Sequence, residues 1–247
     1  MNSTKKVCIL TGAGGRLGTR FCQRHADKYE IVAVYRRRAP QVPSQLQSLV
    51  DPLDPTAELA ENRHPVYALR ADLSDERDLA RIVEVTLARF NRIDVLINAA
   101  VHSIWSPMVD SDQLLASLQT QFNINVCAPL RLAVLIARQF WRDRAPENAQ
   151  MNRNIINVSS IAGVRIYSGS GQSAYSASKA ALNFLTWHMA EEFRAFGVRV
   201  NATAPDAFPR LISTDSVVDS LVRLEAGVLS GKVLVLNKDG VRMLSAP

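Results

Sequence analysis

Thr11-Gly12-Ala13-Gly14-Gly15-Arg16-Leu17-Gly18 follows directly on the apolar run Val7-Cys8-Ile9-Leu10 and opens onto a helical stretch from about Leu17 to Lys28. A buried strand, a glycine-rich turn and a helix in that order put backbone N–H groups and a helix N-terminus where a pyrophosphate binds. The spacing departs from the common G-x-G-x-x-G pattern: Gly12 and Gly14 require glycine or alanine at position 17, whereas the chain has Leu17 and sets its last glycine at Gly18. By itself this longer turn suits a ligand-free connection as well as a cofactor.

Outward from the turn, short β-branched runs alternate with helical stretches. Ile31 to Tyr35, Val66 to Leu69, Ile93 to Ile97, Asn154 to Val158, Val198 to Ala202 and Lys232 to Leu236 read as strands. Leu79 to Phe90, Leu114 to Phe140 (one long helix or a broken pair), Tyr175 to Phe196 and Thr214 to Glu225 read as helices, with Gly197 closing the third. Near-continuously apolar strands alternating with helices predict an α/β fold: a single Rossmann-type, doubly wound parallel sheet of about seven strands with helices on both faces. The interval Ala39 to Pro65, with Pro40, Pro43, Pro52, Pro55 and Pro65, leaves only Ser44 to Val50 and Thr56 to Asn62 free to be helical and reads as an irregular excursion within one domain spanning 1–247.

Composition narrows the function classes. The 247 residues are 47% hydrophobic, enough for a substantial core and too many for a disordered chain. Cys8, Cys22 and Cys127 are too few and too widely spaced for a disulfide framework or a metal site, so a reducing, cytoplasmic setting without a metal is expected. Arg131 and Arg138 interrupt the best apolar run, and no membrane span is expected. The net charge of +6 invites nucleic acid, but outside Arg36-Arg37-Arg38 the basic residues are interspersed with acids, and no recognition spacing appears. A small anionic ligand at that cluster accounts for the excess more economically.

The cluster sits where the second strand ends. In dinucleotide-binding sheets a carboxylate there binds the ribose hydroxyls of NAD, whereas the 2′-phosphate of NADP needs cations. Arg36 and Arg37, with Arg38, supply cations and no acid, which predicts NADP(H). Farther on, Tyr175 and Lys179 lie four residues apart and so share a helix face. An ammonium beside a phenol favours the phenolate, and a Tyr tuned downward can exchange a proton with a carbonyl or hydroxyl oxygen.

In this order and at these places the motifs resemble the short-chain dehydrogenase/reductase family over nearly the whole chain. Thr11, Gly12, Gly14, Gly15, Leu17 and Gly18 resemble its glycine turn; Asp72, with Leu73, matches its adenine-contacting Asp; Asn98, Ala99 and Ala100 match its N-N-A-G in degraded form. Asn125 matches the helix asparagine, Ser160 the active-site serine, Tyr175 the proton donor and Lys179 the ribose-binding lysine, while Pro205 falls where the family closes over nicotinamide. The resemblance implies hydride transfer between NADP(H) and a carbonyl, alcohol or imine. Tyr175 would be general acid, Ser160 would hold the substrate oxygen, Lys179 would hold ribose, and Asn125 would hold a water in the proton path. It also implies a homodimer or homotetramer.

The departures carry information of their own. Arg16 in the turn resembles the pteridine reductase branch, where an Arg reaches cofactor phosphates and substrate; a pterin-like heterocycle is therefore one candidate substrate. Asp206 replaces the glycine of a Pro-Gly pair, and only Asp206 to Ser213 intervene before the next helix, implying a short substrate lid. Trp105, Tyr167 and Phe208 lie in loops at strand ends and could face a flat substrate or simply pack; no role is assigned to His102. The competing function is a non-catalytic NADP-binding regulator or assembly subunit of the same fold.

Overall fold

The computed structural model describes residues 5–44, 64–109, 112–167 and 171–246. One eight-stranded sheet runs through them in the order β3-β2-β1-β4-β5-β6-β7-β8. The strands are β1 (Lys6–Thr11), β2 (Tyr29–Tyr35), β3 (Val66–Arg70), β4 (Val95–Asn98), β5 (Asn154–Val158), β6 (Arg199–Pro205), β7 (Lys232–Asn237) and β8 (Gly240–Leu244). Seven are parallel, as expected. The eighth, β8, pairs antiparallel with β7 and corrects the expected number of strands. Its pattern could not announce it: Val241, Arg242 and Met243 are exposed, and β8 returns through the tight turn at Asn237 to Gly240 instead of a helical crossover.

Each central strand is buried on both faces because alternate side chains enter different layers. In β1, Ile9 joins Val32, Leu96 and Ile155 beneath α2 (Glu76–Phe90), α4 (Ala128–Ile136) and α6 (Ser173–Phe193). Cys8 and Leu10 join Ile31 and Ile97 beneath α1 (Arg16–His25) and α7 (Thr214–Ala226). The helix α6 begins before Tyr175, at Ser173, and gives way to a short 3-10 turn closed by Gly197 at φ +68°.

The predicted helix from Leu114 to Phe140 proves to be segmented. It comprises α3 (Asp112–Phe122), a π turn at Asn123–Cys127, α4, and a second π turn at Ala137–Trp141. A further helix, α5 (Ala145–Gln150), was not anticipated. The whole run Asp112–Trp141 is long and apolar enough by length and composition to cross a membrane, but half of its most apolar window is buried in the protein. Leu132, Ile136, Phe140 and Trp141 lie in the core, and Arg131 pairs with Glu76 at 3.2 Å, the arrangement of a core helix. Nearly all of the two proline-flanked helical pieces expected between Ser44 and Asn62 lies outside the described residues. Cys8, Cys22 and Cys127 are free thiols; burial pushes Cys8 up and Cys22 to about 12.

The strand order reverses direction between β1 and its two neighbours, β2 and β4. At such a switch point the connections leave on opposite faces and a crevice opens beyond the carboxyl ends of the strands. Thr11 pairs in register with Asn98, and Asn98 with Asn157, which brings the glycine turn, the loop after β4 and the serines after β5 to one edge.

Candidate active site

The glycine turn is shaped by what lies behind it. Gly12 has φ +71°, and a Cβ there would come within 2.7 Å of the Ala100 backbone; a Cβ on Gly14 would stand 1.7 Å from the carbonyl oxygen of Arg38. The turn thus packs backbone to backbone against both neighbouring loops. Thr11 Oγ1 accepts from the N–H groups of Ala99 and Ala100 at 3.1 and 3.2 Å, holding the degraded N-N-A-G loop against β1. Gly15 stands at the N-cap of α1 with no side chain to occupy the first-turn N–H groups. Asn98 donates to Asn157 Oδ1 at 2.9 Å, while its own Oδ1 is buried without a partner among the described residues.

In front of the turn lies a hollow of about 410 Å³ lined by Gly12, Gly14, Gly15, Arg36 and Leu73 among others, with Arg37, Arg38, Ala99, Ala100 and His102 also on its walls. Arg36 Nε donates to Asp72 Oδ2 at 2.9 Å, so the two residues expected to meet the adenosine are already joined. Arg16 lines an adjoining hollow with Thr19, Arg20 and Gln23, which shares Gly14, Gly15 and Arg38 with the first, and it is absent from the walls of the cavity that contains Tyr175.

The second half of the crevice stands beyond β5 and β6. Ser160 caps a short 3-10 turn, its Oγ accepting from Ala162 N–H at 3.2 Å. Ser160 and Tyr175 line the same cavity. Burial pushes the Tyr175 phenol above its ordinary value, and the neighbouring Ser160 hydroxyl pulls it partly back. Lys179 is 1% exposed; its Nζ donates to Val158 O at 2.8 Å and lies 5.9 Å from the centre of the Tyr175 ring. Burial without a facing carboxylate lowers the ammonium to about 7. The expected downward tuning of Tyr175 by Lys179 is therefore not seen: desolvation dominates both groups, raising the phenol and lowering the amine. Ser159 behaves as a strand-end hydroxyl, donating to Lys179 O at 3.2 Å.

Asn125 sits in the first π turn, where the irregular ladder turns its side chain toward the loop after β4. Its Nδ2 donates to His102 O and to Ser178 Oγ, both at 2.9 Å, and its Oδ1 accepts from His102 N–H at 2.9 Å. The amide is a clamp between that loop and α6. Ser178, which sequence reasoning passed over, is the far end of it.

Tyr175 and Ser160 open on a cavity of about 590 Å³ lined also by Trp105, Gln172, Pro205, Phe208 and Arg210. Asp206, unexplained from sequence, is 3% exposed and accepts on both oxygens: from the Tyr167 hydroxyl at 2.6 Å and from Arg165 Nη2 at 3.2 Å. Arg165 also donates to the Tyr167 hydroxyl at 2.9 Å and stacks over its ring at 4.6 Å. Asp206 N–H donates to Leu236 O at 2.8 Å. The carboxylate thus ties the loop after β5 to the end of β6.

A profile described as short chain dehydrogenase matches residues 6–216. The chain belongs to the short-chain dehydrogenase family. It is 28% identical over 223 residues to a diacetyl reductase [(S)-acetoin forming] of Staphylococcus epidermidis, covering 89% of this chain and 77% of that one. It is 26% identical over 208 residues to the 3-oxoacyl-[acyl-carrier-protein] reductase FabG of Thermotoga maritima, covering 81% and 73%. Among solved structures, a short chain dehydrogenase from Mycobacterium smegmatis superposes with a TM-score of 0.74 at 25% identity, covering 94% of this chain and 91% of that one. Family membership makes the chain an oxidoreductase of the nicotinamide-dependent kind.

Proposed function

We propose that the protein is an NADPH-dependent reductase of a small carbonyl compound, with Tyr175 as proton donor. The observation that carries the proposal is that Ser160 and Tyr175 line one cavity beside a buried lysine. The residues present fit a dinucleotide: a side-chain-free helix N-terminus for the pyrophosphate, and three arginines on the wall where a 2′-phosphate would lie. When bound, the cofactor supplies the hydride.

The rest of the chemistry belongs to the chain. Ser160 holds the substrate oxygen and stabilises its growing negative charge. Tyr175, kept protonated through neutral pH by burial, gives that oxygen its proton. Lys179 would hold ribose hydroxyls, and an amine lowered to about 7 can release or regain a proton near neutrality. Asn125 acts by positioning, since its amide fixes the loop that backs the cofactor hollow. Asp72 and Leu73 would flank the adenine, Asn98 to Ala100 would back the ribose, and Pro205 would close over the nicotinamide end. Asp206 to Ser213 serve as a short lid, and the chain works as one domain.

The relatives named a diacetyl reductase and a 3-oxoacyl reductase favour a carbonyl over an imine. The position of Arg16, away from the Tyr175 cavity, counts against a pterin held by that side chain. A non-catalytic role is less economical, because the residues read as the proton donor and its serine line one open cavity. Exposed Leu115, Leu118, Leu130 and Phe184 on α3, α4 and α6 support self-association through those helices. The test is NADPH oxidation against 2,3-diketones and 3-oxoacyl thioesters, with NADH in parallel. Turnover of a carbonyl with NADPH preferred is expected; cofactor binding with no turnover of any carbonyl would favour the regulator.

A further inference from the structure

We propose that the Tyr175 cavity selects substrates that carry an anionic group, which Arg210 binds at the rim. This rests on the reductase reading above and adds a substrate class to it. Among the described residues lining the cavity only Asp206 and Arg210 are charged. Their situations differ. Asp206 is buried, and both of its oxygens are taken by Tyr167 and Arg165, so it presents no free acceptor to a ligand. Arg210 is exposed on the short loop between β6 and α7 and has no hydrogen-bond or ion-pair partner among the described residues.

The local charge sums accordingly. Arg165 offsets Asp206, leaving Arg210 as the uncompensated charge at the mouth. A planar guanidinium with five donors matches a carboxylate or phosphate bidentately, which a hydroxyl or amide on the substrate does not exploit as well. Trp105 and Phe208 on the same walls offer apolar surface to the part of the molecule between the anion and the reacting carbonyl. Without the Arg165–Tyr167–Asp206 strap, a carboxylate at this place would repel the same ligand. The strap thus explains how the family position taken by Asp206 remains compatible with an anionic substrate.

The probes are benzoate and its neutral analogue benzamide, titrated into the purified protein with and without saturating NADP+ and followed by tryptophan emission, to which Trp105 contributes from within the cavity. Benzoate is expected to bind about five- to tenfold more tightly than benzamide, the range for one charge-assisted contact at a partly exposed site. Arg210→Ala should abolish the difference, Arg210→Lys should keep part of it, and added potassium chloride should shrink it. Equal affinities, tighter benzamide, no measurable binding of either probe, or a preference that survives Arg210→Ala overturns the proposal. Diketone turnover that disappears in Tyr175→Phe speaks to the reductase reading alone, so the two failures are distinguishable.

Discussion

At the β1 side of the crevice the proposed cofactor cradle is made of backbone. Gly12 lets the turn approach the loop after β4 and Gly14 the loop after β2, and the arginine side chains that line the hollow there, Arg36 to Arg38, are exposed. At the β5–β6 side the working groups are side chains: Lys179 and Asp206 are buried, and Tyr175 is partly so. A backbone cradle tolerates changes in exposed side chains and fails when a methyl group is added to the turn. A cluster of buried polar side chains trades stability for chemistry, because desolvation is a cost that the fold bears before any ligand arrives. The two sides should therefore respond to mutation in opposite ways.

The cradle should break most severely. Gly14→Ala places a methyl group against a backbone carbonyl that cannot rotate away, so the turn or the arginine loop must move. A loss of about 1–3 kcal/mol in stability is expected, with NADPH affinity falling further, read by chemical unfolding and by equilibrium binding. Unchanged affinity would mean that the turn does not touch the cofactor.

The buried amine should show the reverse sign. Its pKa is about 7 in the folded protein against an ordinary 10.5. Between those values the unfolded chain binds more protons, so stability rises with pH across that window and carries the full desolvation cost below it. Lys179→Met should abolish turnover yet stabilise the free protein at neutral pH by about 2 kcal/mol, and flatten the rise. Urea unfolding of both proteins at about pH 7 and about pH 9 measures this; a less stable variant would show that the bond to Val158 outweighs desolvation.

The exposed arginines should give the smallest effect. Arg36→Ala is expected to reduce the preference for NADPH over NADH by about tenfold, or ~1.4 kcal/mol, because Arg36 already shares its charge with Asp72 at 2.9 Å while Arg37 and Arg38 remain. No change in the ratio of dissociation constants would remove Arg36 from the phosphate site.

What the sequence disclosed follows the same division. The turn, the arginine run and the Tyr175–Lys179 spacing are local patterns, and the helices and parallel strands that position them have strong periodicity. The strap among Arg165, Tyr167 and Asp206 is different: it joins residues about forty positions apart, and only the Pro205-Asp206 departure signalled it. Ser178 behind Asn125 was hidden for the same reason. The sign of the Tyr175 shift was misjudged because spacing reports which groups share a helix face and not how deeply they are buried. The strand β8 escaped because it is an exposed edge, where apolar periodicity fades.

The central claim is that one side of the crevice binds the cofactor and the other carries out the proton transfer. It is tested most directly by measuring NADPH affinity and carbonyl turnover together in Tyr175→Phe. The account predicts affinity within about twofold of the parent protein and turnover lower by about two to four orders of magnitude, the usual contribution of a positioned general acid. Turnover retained within about tenfold, on a carbonyl that the parent protein reduces, would contradict it.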